Sequence, residues 1–249
     1  MFDVVVIGSG PAGYVAAIRA SQLGLKTLCI EELSNDKGKP NFGGTCLNVG
    51  CIPSKSLLDS SHRYYDAKKN LSDHGIQLGD VKLDLKTMME RKDNIVSKLT
   101  GGIDGLFLTN KVESICGKGK VISKNTVQID KADGSSEKVD AKNIIIATGS
   151  SPIEIPAASF GKHIVDSTGA LAFDSVPKRL GVVGAGMIGL ELGSVWSRLG
   201  SEVTVLEALE DFLPMTDTDI SIESFKEFKK QGLDILVASK VTSTTVSYT

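Results

Sequence analysis

The sequence is poor in cysteine and histidine and has no excess of either charge. Only four cysteines and three histidines occur in 249 residues, so a secreted disulfide scaffold is excluded and we assign no metal site. The 28 basic and 30 acidic residues are interspersed and give a net charge of −2, which argues against nucleic acid or a membrane surface as a partner. No apolar run reaches the roughly 20 residues that cross a bilayer.

We predict no targeting signal at the start of the chain. Met1 is followed almost at once by a buried-type strand rather than by a charged region and a cleavage site, so we predict a cytoplasmic location. A length of 249 residues allows one large or two ordinary domains, and we expect two.

The chain contains two copies of one pattern. Each copy consists of a strand, a glycine turn, a helix and a second strand, and the second strand ends on an acidic residue. In the first copy the apolar run 3–7 leads into GSGPAG, and after the helical pattern 14–25 the strand 26–30 ends on Glu31. In such a turn the first glycine makes a tight bend, the second lets the backbone approach a pyrophosphate, and the third lets the helix pack closely. These positions are Gly8, Gly10 and Gly13. Glu31 is placed to accept a hydrogen bond from a ribose hydroxyl.

The second copy repeats this order, with strand 179–183, glycine turn 184–189, helix 190–199, strand 202–206 and Glu207. In both copies the acid follows the last glycine by eighteen residues. Two copies in full context predict two dinucleotide sites. The Glu207 carboxylate would hydrogen-bond the 2′-hydroxyl of NAD and repel the 2′-phosphate of NADP, so we predict NAD at the second site.

Residues 43–55 read GGTCLNVGCIPSK and place Cys46 and Cys51 five positions apart. In a regular helix such Cα atoms are roughly 8 to 9 Å apart, beyond the disulfide limit of about 7 Å. A disulfide therefore needs a distorted backbone, which Gly50 allows, and Pro53 suits the first turn of a new helix. The residues alone leave two interpretations open, a redox disulfide or two small buried side chains.

The remaining segments predict an α/β fold of two Rossmann-like three-layer domains. Their limits are 1–151 and 152–249, because the strand 143–147 and the following TGS lead into a proline-punctuated connection. Between the two nucleotide units we predict helices over 52–70 and 85–110 and short strands over 112–116, 121–123, 126–129 and 138–139. We assign structural roles to Cys29 and Cys116, which lie in apolar, strand-like runs.

With these motifs in view, the chain resembles the flavoprotein pyridine nucleotide-disulfide oxidoreductases, and within that family the dihydrolipoamide dehydrogenases most closely. The resemblance rests on residues 43–55, on ATGS at 147–150 and on GAGMIGLE at 184–191, and it covers essentially the whole chain. It implies FAD on the first unit, NAD on the second, and electron transfer from dihydrolipoamide through a Cys46–Cys51 disulfide. It also implies a homodimer for the full-length family and, as partner, the lipoyl domain of a 2-oxo acid dehydrogenase complex or of the glycine cleavage system.

The resemblance also assigns roles to single residues. Cys51 would lie against the flavin as a charge-transfer thiolate and Cys46 would be the interchange thiol. Lys55 would sit near the reactive flavin nitrogen with Glu191 as its partner, although spacing alone favours an ordinary solvated lysine and a first-turn carboxylate. Besides the residues of the first glycine turn and the two acids, the implied cofactor contacts are Gly44, Thr45, Cys46, Lys55, Gly119, Thr148, Gly149, Ser150, Gly184, Gly186, Met187, Ile188, Gly189, Glu191 and Val241.

The chain departs from the family in length. Full-length members are nearly twice as long, and their C-terminal half supplies a histidine that acts as general base across the dimer. His62, His74 and His163 do not lie in such a context, so we expect an N-terminal half with weak or no turnover by itself. Two other functions stay open, a non-catalytic FAD- and NAD-binding module of a larger complex and a glutathione-reductase-like enzyme.

Overall fold

The structure is a computed structural model that describes residues 1–35 and 38–245. Its strands are β1 Phe2–Ile7, β2 Thr27–Glu31, β3 Glu113–Cys116, β4 Lys118–Ser123, β5 Thr126–Asp130, β6 Ser136–Ile146, β7 Arg179–Val183, β8 Glu202–Leu206 and β9 Leu233–Leu236. Its α-helices are α1 Pro11–Gln22, α2 Gly44–Val49, α3 Cys51–Lys69, α4 Leu85–Thr109, α5 Ser167–Ala170, α6 Met187–Leu199 and α7 Thr218–Lys230, and one turn of 3₁₀ helix covers Leu71–His74.

The chain divides into two compact units. The first contains residues 1–53 and 93–151, and the second contains residues 54–92 and the chain from Pro152 onward. Helices α3 and α4 each cross this division. The domain limits 1–151 and 152–249 stay a prediction.

The first unit has a six-stranded sheet in the order β3-β2-β1-β6-β5-β4. Pairing is parallel from β3 to β6 and antiparallel from β6 to β4. Val4 and Val6 pack with α1 and α4 on one face of β1, whereas Val5 and Ile7 pack with β5 on the other. Burial on both faces explains why β1 is a continuous apolar run.

Strand β6 corrects one prediction. Two strands over 138–139 and 143–147 are predicted, but a single strand runs from Ser136 to Ile146. Its first part pairs antiparallel with β5 and its last part pairs parallel with β1. The charged and polar residues between the two apolar parts remain in the strand because its backbone has a partner along the whole length.

The second unit contains the parallel sheet β7-β8-β9. One core joins the three strands to α6 and α7, and a second core packs α3 and α4 against α6. Trp196 of α6 and Leu57 of α3 are fully buried there. The Trp196 indole N–H donates to the Ala170 carbonyl at 3.1 Å, and the buried Lys92 ammonium donates to the Leu171 carbonyl at 2.9 Å.

The predicted α/β class with Rossmann-like parallel sheets is confirmed. Helix α1 begins three residues before the predicted start, since Pro11 occupies its first turn, where a missing N–H costs nothing. Helices α5 and α7 and strand β9 lie outside the predicted elements. Within residues 1–35 and 38–245, none of the helices combines the length and apolar character that crossing a membrane requires.

Candidate functional site

The first glycine turn is held by contacts that exclude side chains. Gly8 has φ +97°, and a Cβ there would lie 2.3 Å from the Ala147 carbonyl oxygen. A Cβ on Gly13 would lie 1.9 Å from the Gly8 carbonyl oxygen. The structure therefore has the predicted tight bend at Gly8 and the predicted close helix packing at Gly13, because each glycine lies against a backbone carbonyl.

Gly10 lies at the N-terminus of α1 and is more open. A Cβ there would meet only the Gly44 Cα atom, at 3.8 Å. Gly44 itself has φ +57°, and its own Cβ would lie 2.6 Å from the Gly10 Cα atom. The Gly43 N–H donates to the Ser9 carbonyl at 3.0 Å. The start of the cysteine segment is thus packed directly onto the first glycine turn.

Glu31 is buried at the end of β2, with 5% of its surface exposed. One carboxylate oxygen accepts from the Ser9 backbone N–H at 2.9 Å and from the Ser9 hydroxyl, and the other accepts from the Leu33 N–H at 2.8 Å. A carboxylate has about four acceptor positions, so capacity for a ribose hydroxyl is left. Ser9 is not among the predicted site residues. The sequence distinguishes it only as a small polar residue between two glycines.

The structure brings two other predicted positions close to this turn. The Thr148 Cα atom would lie 3.2 Å from a Cβ on Gly8, and Gly149 and Ser150 follow it as exposed residues. A Cβ on Gly119 would lie 2.8 Å from the Ile7 side chain. Thr148 and Gly119 therefore both lie at the carboxyl end of β1, where ligands of parallel sheets bind.

The cysteine segment is two helices rather than one. Helix α2 ends at Val49, and α3 begins at Cys51 with Pro53 in its first turn. A Cβ on the intervening Gly50 would lie 2.8 Å from the Thr45 carbonyl oxygen and 3.3 Å from the Cys46 Cα atom. The predicted break at Gly50 is confirmed, and it folds the chain back toward Cys46.

The two cysteines of this segment differ in exposure. Cys46 is half-buried and packs on the core of the first unit. Cys51 is exposed, and so is Thr45, the residue before Cys46. The disulfide between Cys46 and Cys51 stays a prediction. Burial raises the pKa of the Cys29 thiol to about 12, and burial followed by the Glu31 charge raises the pKa of Cys116. Both shifts favour the neutral thiol.

Lys55 and Glu191 meet within the second unit. The Lys55 ammonium forms an ion pair with one oxygen of the Glu191 carboxylate, and the Ser54 hydroxyl donates to the other oxygen at 3.3 Å. Lys55 is largely exposed, whereas Ser54 is 7% exposed. Ser54 is a second residue outside the predicted set. Sequence spacing gives no signal for it, because its partner is 137 positions away.

In the second glycine turn the third glycine again lies against the carbonyl of the first, whereas a Cβ on Gly184 would meet nothing within 4 Å. Gly184 has φ +100°, and a Cβ on Gly189 would lie 2.3 Å from its carbonyl oxygen. The Glu207 carboxylate accepts from the Ala185 N–H at 2.8 Å and from the Leu209 N–H at 2.9 Å. A Cβ on Gly186 would meet nothing within 4 Å.

Two further predicted contacts, Met187 and Ile188, are exposed in the first turn of α6. Val241 is half-buried in the segment after β9. Across residues 1–35 and 38–245, no three His, Cys, Asp or Glu side chains are grouped to hold a metal ion. The arrangement therefore offers two exposed helix N-termini beside acidic residues, which suit nucleotide phosphates and riboses, and a cysteine segment that is packed on the first of them.

Comparison with known proteins gives the same family from sequence and from structure. Residues 2–247 match the sequence profile of pyridine nucleotide-disulphide oxidoreductases. The chain is 53% identical over 240 residues to leghemoglobin reductase of Vigna unguiculata, covering 96% of this chain and 45% of that protein. It is 52% identical over 247 residues to dihydrolipoyl dehydrogenase of Cupriavidus necator, covering 98% of this chain and 52% of that protein.

Among solved structures, the HOCl-induced flavoprotein disulfide reductase RclA of Escherichia coli superposes with a TM-score of 0.78 at 28% identity. The match covers 96% of this chain and 49% of that one. The chain spans about half the length of the curated relatives it matches. The chain belongs to the pyridine nucleotide-disulphide oxidoreductase family.

Proposed function

We propose that this chain is the nucleotide-binding and disulfide-bearing part of a flavoprotein of the dihydrolipoyl dehydrogenase type. The observation that carries the proposal is the packing of Gly44 on Gly10, because it joins a cysteine segment to a dinucleotide-type glycine turn within one compact unit. A protein that only bound nucleotides would not need thiols there. Relatives at 50–52% identity are named dihydrolipoyl dehydrogenase.

The first unit fits FAD. The first turn of α1 exposes Pro11 and Ala12 beside Gly10, where a pyrophosphate needs close backbone approach. Glu31 would accept from the adenosine ribose, while Thr148 and Gly119 would border the cofactor. Gly44, Thr45, Cys46, Lys55, Gly149 and Ser150 are the other residues proposed to contact it.

The second glycine turn fits NAD. Gly186 leaves open space at the N-terminus of α6, and Met187, Ile188 and Glu191 follow on that helix. Glu207 is a carboxylate at the end of β8, so a ribose 2′-hydroxyl is favoured over a 2′-phosphate. Gly184, Gly189 and Val241 complete the residues proposed for this site.

In the proposed reaction a thiolate of dihydrolipoamide attacks the Cys46 sulfur, breaks the Cys46–Cys51 disulfide and releases Cys51 as a thiolate. The second substrate thiolate attacks the substrate sulfur of the mixed disulfide, which closes the lipoamide ring and releases Cys46 as a thiolate. The substrate dithiol loses two protons, and its electron pair now resides on the two cysteines. Bound FAD would supply transfer of this pair to NAD⁺, which becomes NADH as the disulfide re-forms.

Lys55 would favour negative charge on the reduced cofactor, and Glu191 would hold the lysine in place through their ion pair. Cys51 is the first residue of α3. Its exposure suits a thiolate in contact with a cofactor, whereas the half-buried Cys46 would meet the substrate.

The decisive experiment is anaerobic titration of the flavin-loaded protein with NADH. We expect a long-wavelength charge-transfer band in wild type after two electrons and none in Cys51→Ser. Cys46→Ser has no disulfide to reduce, so it should show the band before any NADH is added and lose it when the flavin takes two electrons. NADPH should reduce the protein at least tenfold more slowly, because the Glu207 carboxylate repels the 2′-phosphate. A flavin that takes two electrons with the same spectrum in wild type and both variants would refute the proposal.

Turnover by the 249-residue chain alone is proposed to be weak. His62, His74 and His163 are exposed and belong to the second unit, whereas Cys46 and Cys51 belong to the first. Lipoamide exchange without a histidine base should therefore be slow. A steady-state rate equal to that of a whole dihydrolipoyl dehydrogenase would contradict this part.

The partner and the location are also proposals. We propose a lipoyl domain as the partner, homodimerisation, and the cytoplasm as the location; the bovine relative is named as mitochondrial. The alternative of a non-catalytic FAD- and NAD-binding module predicts bound flavin with inert thiols. A glutathione-reductase-like enzyme predicts preference for NADPH, so the same titration distinguishes both.

A further inference from the structure

The side-chain amide of Asn48 bridges the start of α2 to the segment before it. Its Nδ2 atom donates one hydrogen bond to the Phe42 carbonyl at 3.0 Å and one to the Gly44 carbonyl at 2.9 Å. Both amide hydrogens are therefore used. Asn48 lies between Cys46 and Cys51, and neither sequence spacing nor the nucleotide motifs assign it a role.

Helix α2 needs such a bridge because it is short. Six residues are far below the length at which an isolated helix is stable in water. Gly43, in the left-handed region with φ +105°, precedes it, and Gly50 follows it. Glycine at both ends leaves the backbone free to move, so contacts from within the segment must fix it.

The bridge is anchored to a rigid part of the first unit. Phe42 is 3% exposed and its ring packs on Phe107 with centroids 4.7 Å apart. From that buried point the Asn48 amide reaches across the two glycines to the helix. Cys46 follows Gly44 by two residues, so its position depends on how firmly the first turn of α2 is held.

We propose that Asn48 is a positioning residue for Cys46 in thiol–disulfide exchange. This inference rests on the proposed function. Exchange requires three sulfur atoms in line, and a misplacement of about 1 Å in such a reaction can cost roughly a hundredfold in rate. Asn48 keeps the Cys46 sulfur at the one position where both Cys51 and a substrate sulfur can reach it.

The test variants are Asn48→Asp and Asn48→Ala. Aspartate has nearly the same shape but, when ionised, donates no hydrogen bond and turns acceptor oxygens toward two carbonyls. Asn110→Asp is the matched control, because the amide of Asn110, the residue after α4, also donates to the carbonyl four residues before it, that of Leu106, at 2.8 Å. This control separates the general loss of a helix-stabilising hydrogen bond from a specific effect at Cys46.

The flavin-loaded protein is reduced with one equivalent of NADH and mixed with lipoamide or with ferricyanide in a stopped-flow instrument. Lipoamide must react through Cys46, whereas ferricyanide takes electrons from the flavin directly. We expect both Asn48 variants to react with lipoamide at least about tenfold more slowly than wild type. Their rates with ferricyanide should lie within about twofold of the wild-type rate, and their flavin spectra should match that of wild type. Asn110→Asp should match wild type in both reactions.

Equal loss of both rates would assign Asn48 a merely structural role and overturn the inference, as would unchanged lipoamide rates. Failure of the proposed function itself is distinguishable, since wild-type protein would then reduce ferricyanide but leave lipoamide unreacted. Alkylation followed by peptide mass analysis provides a second measurement. In the Asn48 variants, the ratio of Cys46 to Cys51 labelling after reduction should change severalfold, whereas equal ratios in variant and wild type would count against positioning.

Discussion

The two glycine turns share their backbone contacts but differ in their surroundings. In each, the third glycine packs on the carbonyl of the first, and the acid after the second strand accepts from two backbone N–H groups. The first turn has a buried Ser9 at its centre and α2 packed on Gly10, whereas the second has Ala185 and an open Gly186.

The shared contacts follow from residue spacing within about thirty positions, so one sequence pattern produces them twice. The different surroundings arise from segments far along the chain. The first turn is thus integrated with the cysteine segment, while the second is a plain nucleotide-binding turn with exposed Met187 and Ile188 beside it. Substitutions at matched positions separate what is common to the two turns from what is particular to each.

The largest effect is expected at the third glycine. In Gly13→Ala and Gly189→Ala the new Cβ would overlap a backbone carbonyl, at 1.9 Å and 2.3 Å respectively. We expect each to lower the free energy of unfolding by about 2–3 kcal/mol, with Gly13→Ala the more severe. Urea denaturation followed by circular dichroism measures this.

Gly102→Ala is the control for that pair. Gly102 lies on α4, where a Cβ would meet nothing within 4 Å. Alanine is the better helix former by roughly 1 kcal/mol, so this variant should be slightly more stable than wild type. Equal destabilisation by all three substitutions would show that overlap at the turns is not the cause.

The next effect is on ligand affinity at the second glycine. Gly10→Ala places its Cβ 3.8 Å from the Gly44 Cα atom, and Gly186→Ala meets no protein atom within 4 Å. Both proteins should fold normally, but a pyrophosphate would meet the added methyl group. We expect flavin affinity to fall at least tenfold in Gly10→Ala alone, and NAD affinity to fall similarly in Gly186→Ala alone. Isothermal titration with each nucleotide tests the assignment, and interchanged losses would reverse it.

A smaller effect is expected where the turns differ by one hydroxyl. Ser9→Ala makes the first turn resemble the second and removes a buried hydrogen bond to the Glu31 carboxylate. It should cost about 1–2 kcal/mol in unfolding free energy, because hydrogen bonds to charged groups contribute that much. The converse Ala185→Ser should cost less stability than Ser9→Ala, because the new hydroxyl is buried but lies beside the Glu207 carboxylate, which can accept its hydrogen bond. A neutral Ser9→Ala would mean that the backbone N–H groups of Ser9 and Leu33 hold Glu31 without the hydroxyl.

Only part of the fold and of the candidate site could be predicted from the sequence. The strands 179–183 and 202–206 are predicted at the bounds observed for β7 and β8, because turns and charges flank short apolar runs on both sides. The break at Gly50 and the glycine contacts also follow from local residue types. By contrast, Ser9 and Ser54 act through the carboxylates of Glu31 and Glu191, which are distant in sequence. Asn48 bonds to carbonyls in its own segment, but no sequence motif that we used marks it.

The same limit explains why β6 is predicted wrongly. β6 is one strand because β1 pairs with its last part, and β1 lies about 140 residues away. The grouping of residues 54–92 with the second unit depends on Leu57 and Met88 packing near Trp196. Apolar periodicity shows that these residues are buried but does not identify what they are buried against.

The smallest expected effect concerns the strands before the two acids. Cys29 and Val205 precede Glu31 and Glu207 by two residues and are both fully buried. Burial raises the pKa of the Cys29 thiol from 9.0 to about 12. In the folded protein this thiol therefore keeps its proton above pH 9, where the thiol of the unfolded chain loses it. Wild type should therefore lose about 1 kcal/mol more stability than Cys29→Val between pH 8 and pH 10. Parallel stability profiles from urea titrations at these pH values would contradict the raised pKa.

The pairing of β1 with β6 has a consequence for biosynthesis. The Gly8 turn is complete only when Ala147 lies against it, and that residue leaves the ribosome long after α1 and β2 have been made. Contacts this distant in sequence form slowly, because a long loop must close first. The contacts of the second turn all lie between Gly184 and Leu209. The nascent chain should consequently be unable to capture flavin until most of the first unit has emerged, which makes the supply of cofactor matter late in translation rather than at its start.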